Sequence, residues 1–192
     1  MLPQPSLLPS GVAGAYYASR PGALRPGPLL PIQATSVVAV DLPAHRGFVT
    51  STTRVRVAVV QAAPVAFDRE CTLVKARALA LDAAARGAKL IVFPEAFVSA
   101  YPRGMTFGAV IGERTPEGRE WYRRYWESSV DVPGETVNAL GDLARECAAH
   151  LVIGVVERDG GTLYCTVLFF APNGGFLGKH RKLMPTASER LV

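Results

Sequence analysis

Residues 87–104 read GAKLIVFPEAFVSAYPRG and carry the clearest structural signal in the chain. The apolar run at residues 90–93 ends at Pro94, as expected of a short strand buried within a sheet. Glu95 follows that strand end directly. Ligand-binding and catalytic groups of open α/β sheets collect at the carboxyl ends of strands. The stretch therefore predicts a buried strand followed by an acid that is a candidate for function.

The segment before this strand predicts another strand and a helix. Residues 55–61 are mostly β-branched or apolar, which is typical of a strand buried on both faces. Asp68 can cap a helix that runs to about Arg86, where Gly87 supplies the stop. Helical spacing predicts an inward face made of Val74, Ala78, Leu81 and Ala85.

The segment after it predicts two helices and then three strands. Thr115 followed by Pro116 opens one helix, and Gly134 begins another. The second of these has a predicted inward face of Val137, Leu140, Ala144 and Cys147. Turn sequences at 159–161 and 172–175 separate predicted strands at 151–156, 162–170 and 176–179. From residue 55 the order β-α-β-α-α-β-β-β predicts an α/β fold with helices over a mixed sheet.

Composition changes near residue 54. Eight of the 15 prolines precede it, and residues 1–40 hold no acid. We therefore expect residues 1–54 to be a disordered Pro-rich extension and residues 55–192 to be the folded domain. The extension is acid-poor and contains serine and arginine, so an organelle-targeting segment is an alternative to a plain tail.

Charge and cysteine usage exclude several classes of protein. The net charge is +5, of which residues 1–54 contribute +3 through four arginines and Asp41. The remaining, nearly balanced domain has no basic stripe for nucleic acid, and no apolar run is long enough to cross a membrane. Three cysteines without paired spacing predict neither disulfides nor a metal site, and a reducing, cytoplasmic location fits best.

Two charged residues are candidates for chemistry. The apolar neighbours of Glu95 would disfavour its charged form, and the raised pKa would suit a general base. Lys182 lies where a strand gives way to an apolar loop, and beside a carboxylate it could stabilise negative charge. The alternatives are an exposed loop acid and, for Lys182 with His180 and Arg181, a solvated basic turn.

Four segments together resemble the nitrilase family of carbon–nitrogen hydrolases. They are residues 87–104, 131–134, 162–167 and 179–186, which occur in the family's order. The resemblance runs from Val55 to Val192. One departure is Ala100, where the family signature usually has glycine.

The resemblance implies an α-β-β-α sandwich with a Glu-Lys-Cys triad and neither metal nor cofactor. Glu95 would be the general base and Lys182 the cation that steadies the intermediate. Glu189 resembles a second family glutamate that positions base and substrate, although a solvated acid is an equal alternative. Family nitrilases oligomerise, so we expect a homo-oligomer when the protein is full length, and a small-molecule nitrile as substrate.

The family cysteine lies a few tens of residues beyond the lysine, whereas this chain ends ten residues beyond Lys182. We therefore expect the domain to be truncated before its C-terminal half, without the nucleophile and inactive in this form. Cys71, Cys147 and Cys165 are each interpreted as buried structural thiols.

The predicted reaction converts a nitrile to a carboxylic acid and ammonia. Phe97, Tyr101 and Tyr164 could line the substrate pocket, although each could equally belong to the core. The alternatives are an amidase of the same superfamily and a non-catalytic remnant that binds a ligand or a full-length partner. An unrelated α/β binding protein is the third and weakest alternative, given the length of the matching motifs.

Overall fold

Strands and helices alternate along the chain before two hairpins complete the sheet. The computed structural model describes residues 36–41, 54–102, 105, 107 and 115–186, all within the compact unit Gln33–Val192. In chain order the described elements are β1 Ser36–Asp41, β2 Arg54–Val59, α1 Arg69–Ala85, β3 Leu90–Val92, α2 Pro116–Ser128, β4 Val130–Asp131, α3 Glu135–Cys147, β5 His150–Asp159, β6 Thr162–Phe170 and β7 Phe176–Arg181.

The described strands form one mixed sheet. Its order is β1-β2-β3-β5-β6-β7, with the short β4 paired to β5. The β2–β3, β3–β5 and β4–β5 pairs are parallel, and the others are antiparallel. The predicted α/β class and mixed sheet are confirmed, and among the described elements after residue 55 only β4 was not predicted from the sequence.

Helices α1 and α3 cover one face of this sheet. The core between them is apolar, and strand residues that point into it include Ala58, Ile91, Ile153, Val155 and Leu168. We call this the helix-covered face. The predicted inward residues of α3, Val137, Leu140, Ala144 and Cys147, are all buried. Burial of such apolar surface is the main stabilising contribution to a fold of this kind.

The opposite face of the sheet is only partly covered in the described structure. Its residues are half-buried or exposed: Val57, Val59, Leu90, Val92, Val152, Val167 and Phe169. Val59, for example, is 48% exposed. We call this the half-exposed face. The prediction that residues 55–61 form a strand buried on both faces is therefore wrong for the described chain. The predicted buried strand at residues 90–93 is likewise buried on one face only, since side chains alternate between the covered and the half-exposed side.

The predicted inward face of α1 is also wrong. The helix is capped as expected, with the Asp68 side chain accepting a hydrogen bond from the Cys71 amide. Its buried residues are Thr72, Ala76, Leu79, Ala80 and Ala83, while Val74 is 66% exposed. The alanine-rich sequence offers several nearly equivalent apolar stripes. Packing on the sheet therefore selects the face that the periodicity left ambiguous.

The predicted disorder of residues 1–54 does not hold for one segment. Ser36–Asp41 forms β1, which pairs antiparallel with β2. The backbone of a neighbouring strand provides hydrogen-bond partners that composition cannot reveal. Residues 1–35 and 42–53 lie outside the described residues. Within the part of the chain that the structure describes, no helix has the length and apolar content to cross a membrane.

Candidate active site

Glu95 lies on a short excursion of the backbone out of the sheet. Phe93 still bonds to β5, its amide 2.8 Å from the Val152 carbonyl oxygen. The chain re-enters the sheet at Val98, whose amide donates to the Gly154 carbonyl oxygen at 3.1 Å. The segment between them, residues 94–97, projects across β5. This excursion presents the Glu95 side chain, which is 54% exposed.

Gly154 provides the space that this excursion needs. A Cβ atom at this position would lie 2.6 Å from the Ala96 nitrogen and 2.7 Å from the Glu95 Cα, and would also collide with the Pro94 carbonyl oxygen. Contacts this short with backbone atoms cannot be relieved by a side-chain rotation. The glycine in the middle of an otherwise apolar strand therefore marks a close approach of two backbones.

Lys182 meets Glu95 from the end of β7. Its Nζ atom donates a hydrogen bond to Glu95 Oε1 at 2.7 Å, and its side chain is 30% exposed. Its backbone amide donates to the Cys165 carbonyl oxygen at 2.8 Å, one residue beyond the end of the β6–β7 pairing. The two residues singled out in the sequence thus form a direct, hydrogen-bonded ion pair.

Cys165 contributes a third group to the same place. Its Sγ lies 3.3 Å from Glu95 Oε1, within the range of a thiol hydrogen bond. The side chain is half-buried on β6, so its interpretation as a buried structural thiol is wrong. Cys71 is exposed at the first turn of α1, which also contradicts that interpretation, whereas Cys147 is buried in α3 as predicted.

The pKa of Glu95 is shifted in the direction opposite to the one that the sequence predicted. The hydrogen bond from Lys182 lowers the pKa of Glu95 below its ordinary value, and the Cys165 thiol acts in the same direction. Partial desolvation opposes them but does not prevail. The predicted effect of burial on the pKa is therefore present, but the hydrogen bond from Lys182 outweighs it.

The side chains of the basic run at residues 180–182 point to both faces of the sheet. Successive side chains of a strand point to opposite faces, so Arg181 points to the face opposite Lys182. There its guanidinium bonds to the fully buried carboxylate of Glu157, at 2.9 Å and 2.7 Å. The alternative of a solvated basic turn is therefore wrong for Arg181 and Lys182, while His180 is exposed.

The loop after Glu95 has unusual backbone geometry. Ala96, Ser99 and Ala100 have φ values of 47°, 129° and 97°, in the region that favours glycine. Ala100, the departure from the family signature, bonds through its amide to the Ala96 carbonyl oxygen at 3.0 Å. A loop that holds such strained residues needs surrounding contacts to maintain it. Ala96 packs into an aromatic cluster with Tyr125 of α2, which supplies such contacts.

The three aromatic candidates lie in three different surroundings. Phe97 is fully buried in the core beneath the helices. Tyr101 is half-buried against the aromatic cluster of Tyr125. Tyr164 lies on the opposite face of the sheet from Cys165. The Arg181 Cζ atom stacks over its ring, 3.8 Å from the centroid of the Tyr164 ring. Glu189 lies outside the described residues.

Sequence reasoning missed two residues of this arrangement. Gly154 was absorbed into an apolar strand, although a glycine in a strand interior is a known sign of close backbone approach. Cys165 was assigned to the core because the register of β6 against β5, which selects its face, is not encoded in local periodicity. Among the described residues, no group of three or more His, Cys, Asp or Glu side chains could hold a metal ion.

A model of the family described as carbon-nitrogen hydrolase matches residues 56–192. The chain belongs to this family. The predicted resemblance to the nitrilase family is confirmed by relatives of about 50% identity. A bifunctional nitrilase/nitrile hydratase, NIT4A, from Nicotiana tabacum is 51% identical over 164 residues, covering 85% of this chain and 47% of the relative. An aliphatic nitrilase from Sinorhizobium fredii (strain HH103) is 55% identical over 139 residues, covering 72% of this chain and 45% of the relative.

Solved structures confirm the fold of this carbon-nitrogen hydrolase. An amidase from Nesterenkonia sp. superposes with a TM-score of 0.51 at 20% identity, covering 71% of this chain and 46% of that one. A mutant of the amidase from Nesterenkonia sp. AN1, which shows covalent addition at the active site cysteine, gives a TM-score of 0.51 at 18% identity. The chain spans about half the length of the curated relatives that it matches.

Proposed function

We propose that this protein is a nitrilase-type hydrolase that converts a small-molecule nitrile to a carboxylic acid and ammonia. The observation that carries the proposal is the 2.7 Å hydrogen bond between Lys182 Nζ and Glu95 Oε1, formed at the end of a parallel strand. The identity of about 50% to proteins named nitrilases supports nitriles as the substrate class.

Glu95 is the proposed general base. A base must be ionised to accept a proton, and the pKa of Glu95 lies below its ordinary value because Lys182 bonds to it. The carboxylate is therefore ionised at neutral pH. Its exposure on the excursion over Gly154 leaves it accessible to a nucleophile and to water.

Lys182 has two proposed roles. Its ammonium group holds Glu95 ionised, and it is positioned to stabilise negative charge that develops on the substrate nitrogen. A fixed cation beside the reacting atoms needs little reorganisation during the reaction. The position of Lys182 depends on the last residues of β7 and on the bond from its own amide to Cys165.

The proposed chemistry is covalent. A cysteine thiolate of the complete protein attacks the nitrile carbon, and protonation of the nitrogen gives a thioimidate. Water then adds to this carbon, ammonia leaves, and a second water releases the acid and regenerates the thiol. Division into two steps lowers the barrier of a difficult hydrolysis. Glu95 accepts the thiol proton and each water proton, and returns protons to the departing nitrogen. On the family resemblance, the nucleophile lies beyond Lys182 and is none of Cys71, Cys147 and Cys165.

The proposal is tested with protein expressed from its complete coding sequence. Ammonia, acid and amide are measured separately with aliphatic, aryl and cyano-amino-acid nitriles and with the matching amides. We expect acid and ammonia from at least one nitrile. Turnover of amides but of no nitrile would replace the proposal with an amidase, and an amide product alone would indicate a hydratase. Binding without any turnover would favour the non-catalytic alternative.

Variants then connect activity to the site. Glu95→Gln keeps the shape of the side chain but removes the base, so we expect kcat to fall by at least about 100-fold. Glu117→Gln is the matched control, because Glu117 is exposed in the first turn of α2. Wild-type turnover by a folded Glu95→Gln variant would refute the assignment.

Two further proposals come from the family resemblance. We propose that the complete protein forms a homo-oligomer and that it acts in the cytoplasm. Light scattering coupled to size-exclusion chromatography tests the first, and a monomer at micromolar concentration would contradict it. Imaging of a fluorescent fusion that retains residues 1–54 tests the second against organelle targeting.

A further inference from the structure

We infer that Cys165 is a positioning residue for Glu95, which it holds together with Lys182 so that the carboxylate presents its other oxygen to the reacting groups. This inference rests on the proposed function, because it assigns a role to Cys165 within the same site. It does not make Cys165 a nucleophile.

Lys182 and Cys165 share one acceptor atom. Lys182 Nζ and Cys165 Sγ both donate to Glu95 Oε1, at 2.7 Å and 3.3 Å. Two donors on one oxygen fix the rotation of a carboxylate, which a single donor does not. Among the described residues, both side-chain donors to Glu95 bond to Oε1, and we assign Oε2 as the oxygen that accepts a proton.

The hydrogen bonds around this oxygen form a closed ring. The Lys182 amide donates to the Cys165 carbonyl oxygen at 2.8 Å. The two donors are therefore tied to each other through the backbone as well as through Oε1. Cys165 itself is paired with Val156 in the β5–β6 ladder. Because the Cys165 backbone is held in the sheet, its thiol and carbonyl groups restrict the positions of Glu95 and Lys182.

The thiol of Cys165 has a hydrogen-bonding strength that suits a positioning role. A thiol is a weak donor, so it adjusts the orientation of an ionised carboxylate without trapping it. The hydrogen bond also helps to lower the pKa of Glu95. Loss of the donor should therefore affect both the rate and the pH at which Glu95 becomes protonated, whereas a merely structural thiol would affect neither.

The experiment compares three substitutions in protein expressed from its complete coding sequence. Cys165→Ala and Cys165→Val remove the donor, the valine with little change in volume, while Cys165→Ser keeps a donor. Cys71→Ala is the matched control, since Cys71 is an exposed cysteine on α1. We expect kcat to fall about 2- to 10-fold in the first two variants, with KM nearly unchanged. We also expect their acid limb of kcat/KM to move to higher pH.

The serine variant decides between positioning and other roles. We expect Cys165→Ser to retain most of the wild-type kcat and the wild-type pH profile. An equal loss in Cys165→Ser and Cys165→Ala would overturn the inference. So would an unchanged rate and profile in Cys165→Val. If Cys165→Ala fails to fold, the comparison of the valine and serine variants still gives the answer.

A readout without turnover separates this inference from the proposed function. The carboxyl ¹³C resonance of Glu95, assigned by its loss in Glu95→Gln, reports protonation directly. We expect it to titrate at higher pH in Cys165→Val than in Cys165→Ser. That result in a protein without nitrile hydrolysis would reject the proposed function and retain the hydrogen-bond role. Identical titrations of the two variants in an enzyme that hydrolyses nitriles would reject the hydrogen-bond role and retain the proposed function.

Discussion

The guanidinium of Arg181 is held by the buried carboxylate of Glu157 on the face of the sheet opposite Lys182. Lys179 and Thr166 also donate to this carboxylate, and Arg181 reaches Asp159 at 2.6 Å. Because Arg181 immediately precedes Lys182, a charge network on the helix-covered face secures the strand end from which Lys182 reaches Glu95. Support for the candidate site therefore comes from both sides of one sheet.

Glu157→Gln should weaken both the fold and the site. The amide would leave two cations without their shared charge, and both retain about 30% exposure. We therefore expect the free energy of unfolding to fall by about 3 kcal/mol, the lower end for a broken buried pair. Urea denaturation measures this change, with Glu117→Gln expected within about 0.5 kcal/mol of wild type. A loss as small as that control would contradict the prediction.

The same carboxylate predicts a pH dependence of stability. Burial raises the pKa of Glu157, but bonds from Arg181, Lys179 and Thr166 outweigh it and hold the pKa at about 2. Since this lies below the ordinary value of 4.5, the stabilisation is complete above pH 4.5 and is lost as pH falls towards 2. We expect Glu157→Gln to flatten this acid slope in denaturation curves. A slope equal to wild type would show that other groups control it.

Gly154→Ala should displace Glu95. The added methyl group would collide with backbone atoms of residues 94–96, which can move only if the excursion moves. We expect a loss of stability of about 1 to 3 kcal/mol and a fall in nitrile turnover of at least about 10-fold. Gly161→Ala is the matched control, because its added Cβ would meet no atom within 4 Å beyond its own residue and its two chain neighbours. Equal activity of the two variants would disprove the role of Gly154.

Lys182→Met should raise the pKa of Glu95. The hydrogen bond from Lys182 is the largest influence lowering that pKa, and the opposing effect of desolvation would remain. Glu95 would then stay protonated to higher pH, so the acid limb of any residual activity should move upward. ¹³C titration of Glu95 measures the shift even when turnover is lost. Lys179→Met is the control, because Lys179 bonds to Glu157. An unchanged Glu95 titration in Lys182→Met would contradict the ion pair.

Ala148→Gly should stabilise the protein without affecting the site. Ala148 ends α3 in the left-handed conformation, with φ 47° and ψ 40°, and is exposed. Glycine adopts this conformation without strain, so we expect a gain of about 0.5 to 1 kcal/mol in thermal or urea denaturation. Ala139→Gly, at an exposed position inside the same helix, should instead lose about 1 kcal/mol. A loss in both variants would refute the prediction.

Much of the site was predictable because each signal was local. The strand at residues 90–92, the acid after it and the lysine at the end of β7 were all located from sequence. Two features of the site, the pKa shift of Glu95 and the thiol donor, were not predicted correctly. The predicted direction of the Glu95 pKa shift was wrong, since the shift depends on a hydrogen bond from Lys182, which lies 87 residues away along the chain. The thiol donor was missed, since its face depends on the pairing of β6 with β5.

Local sequence alone located the helix caps, most strand positions, the inward face of α3 and the two charged residues of the family motif. These features depend on periodicity and hydrogen bonds that act within a few residues. Tertiary structure selected the buried face of α1, recruited Ser36–Asp41 into the sheet and assembled Glu95, Cys165 and Lys182 on one oxygen. The cysteine lies 70 and the lysine 87 residues from Glu95 along the chain. Only strand register and the space above Gly154 bring such distant groups together.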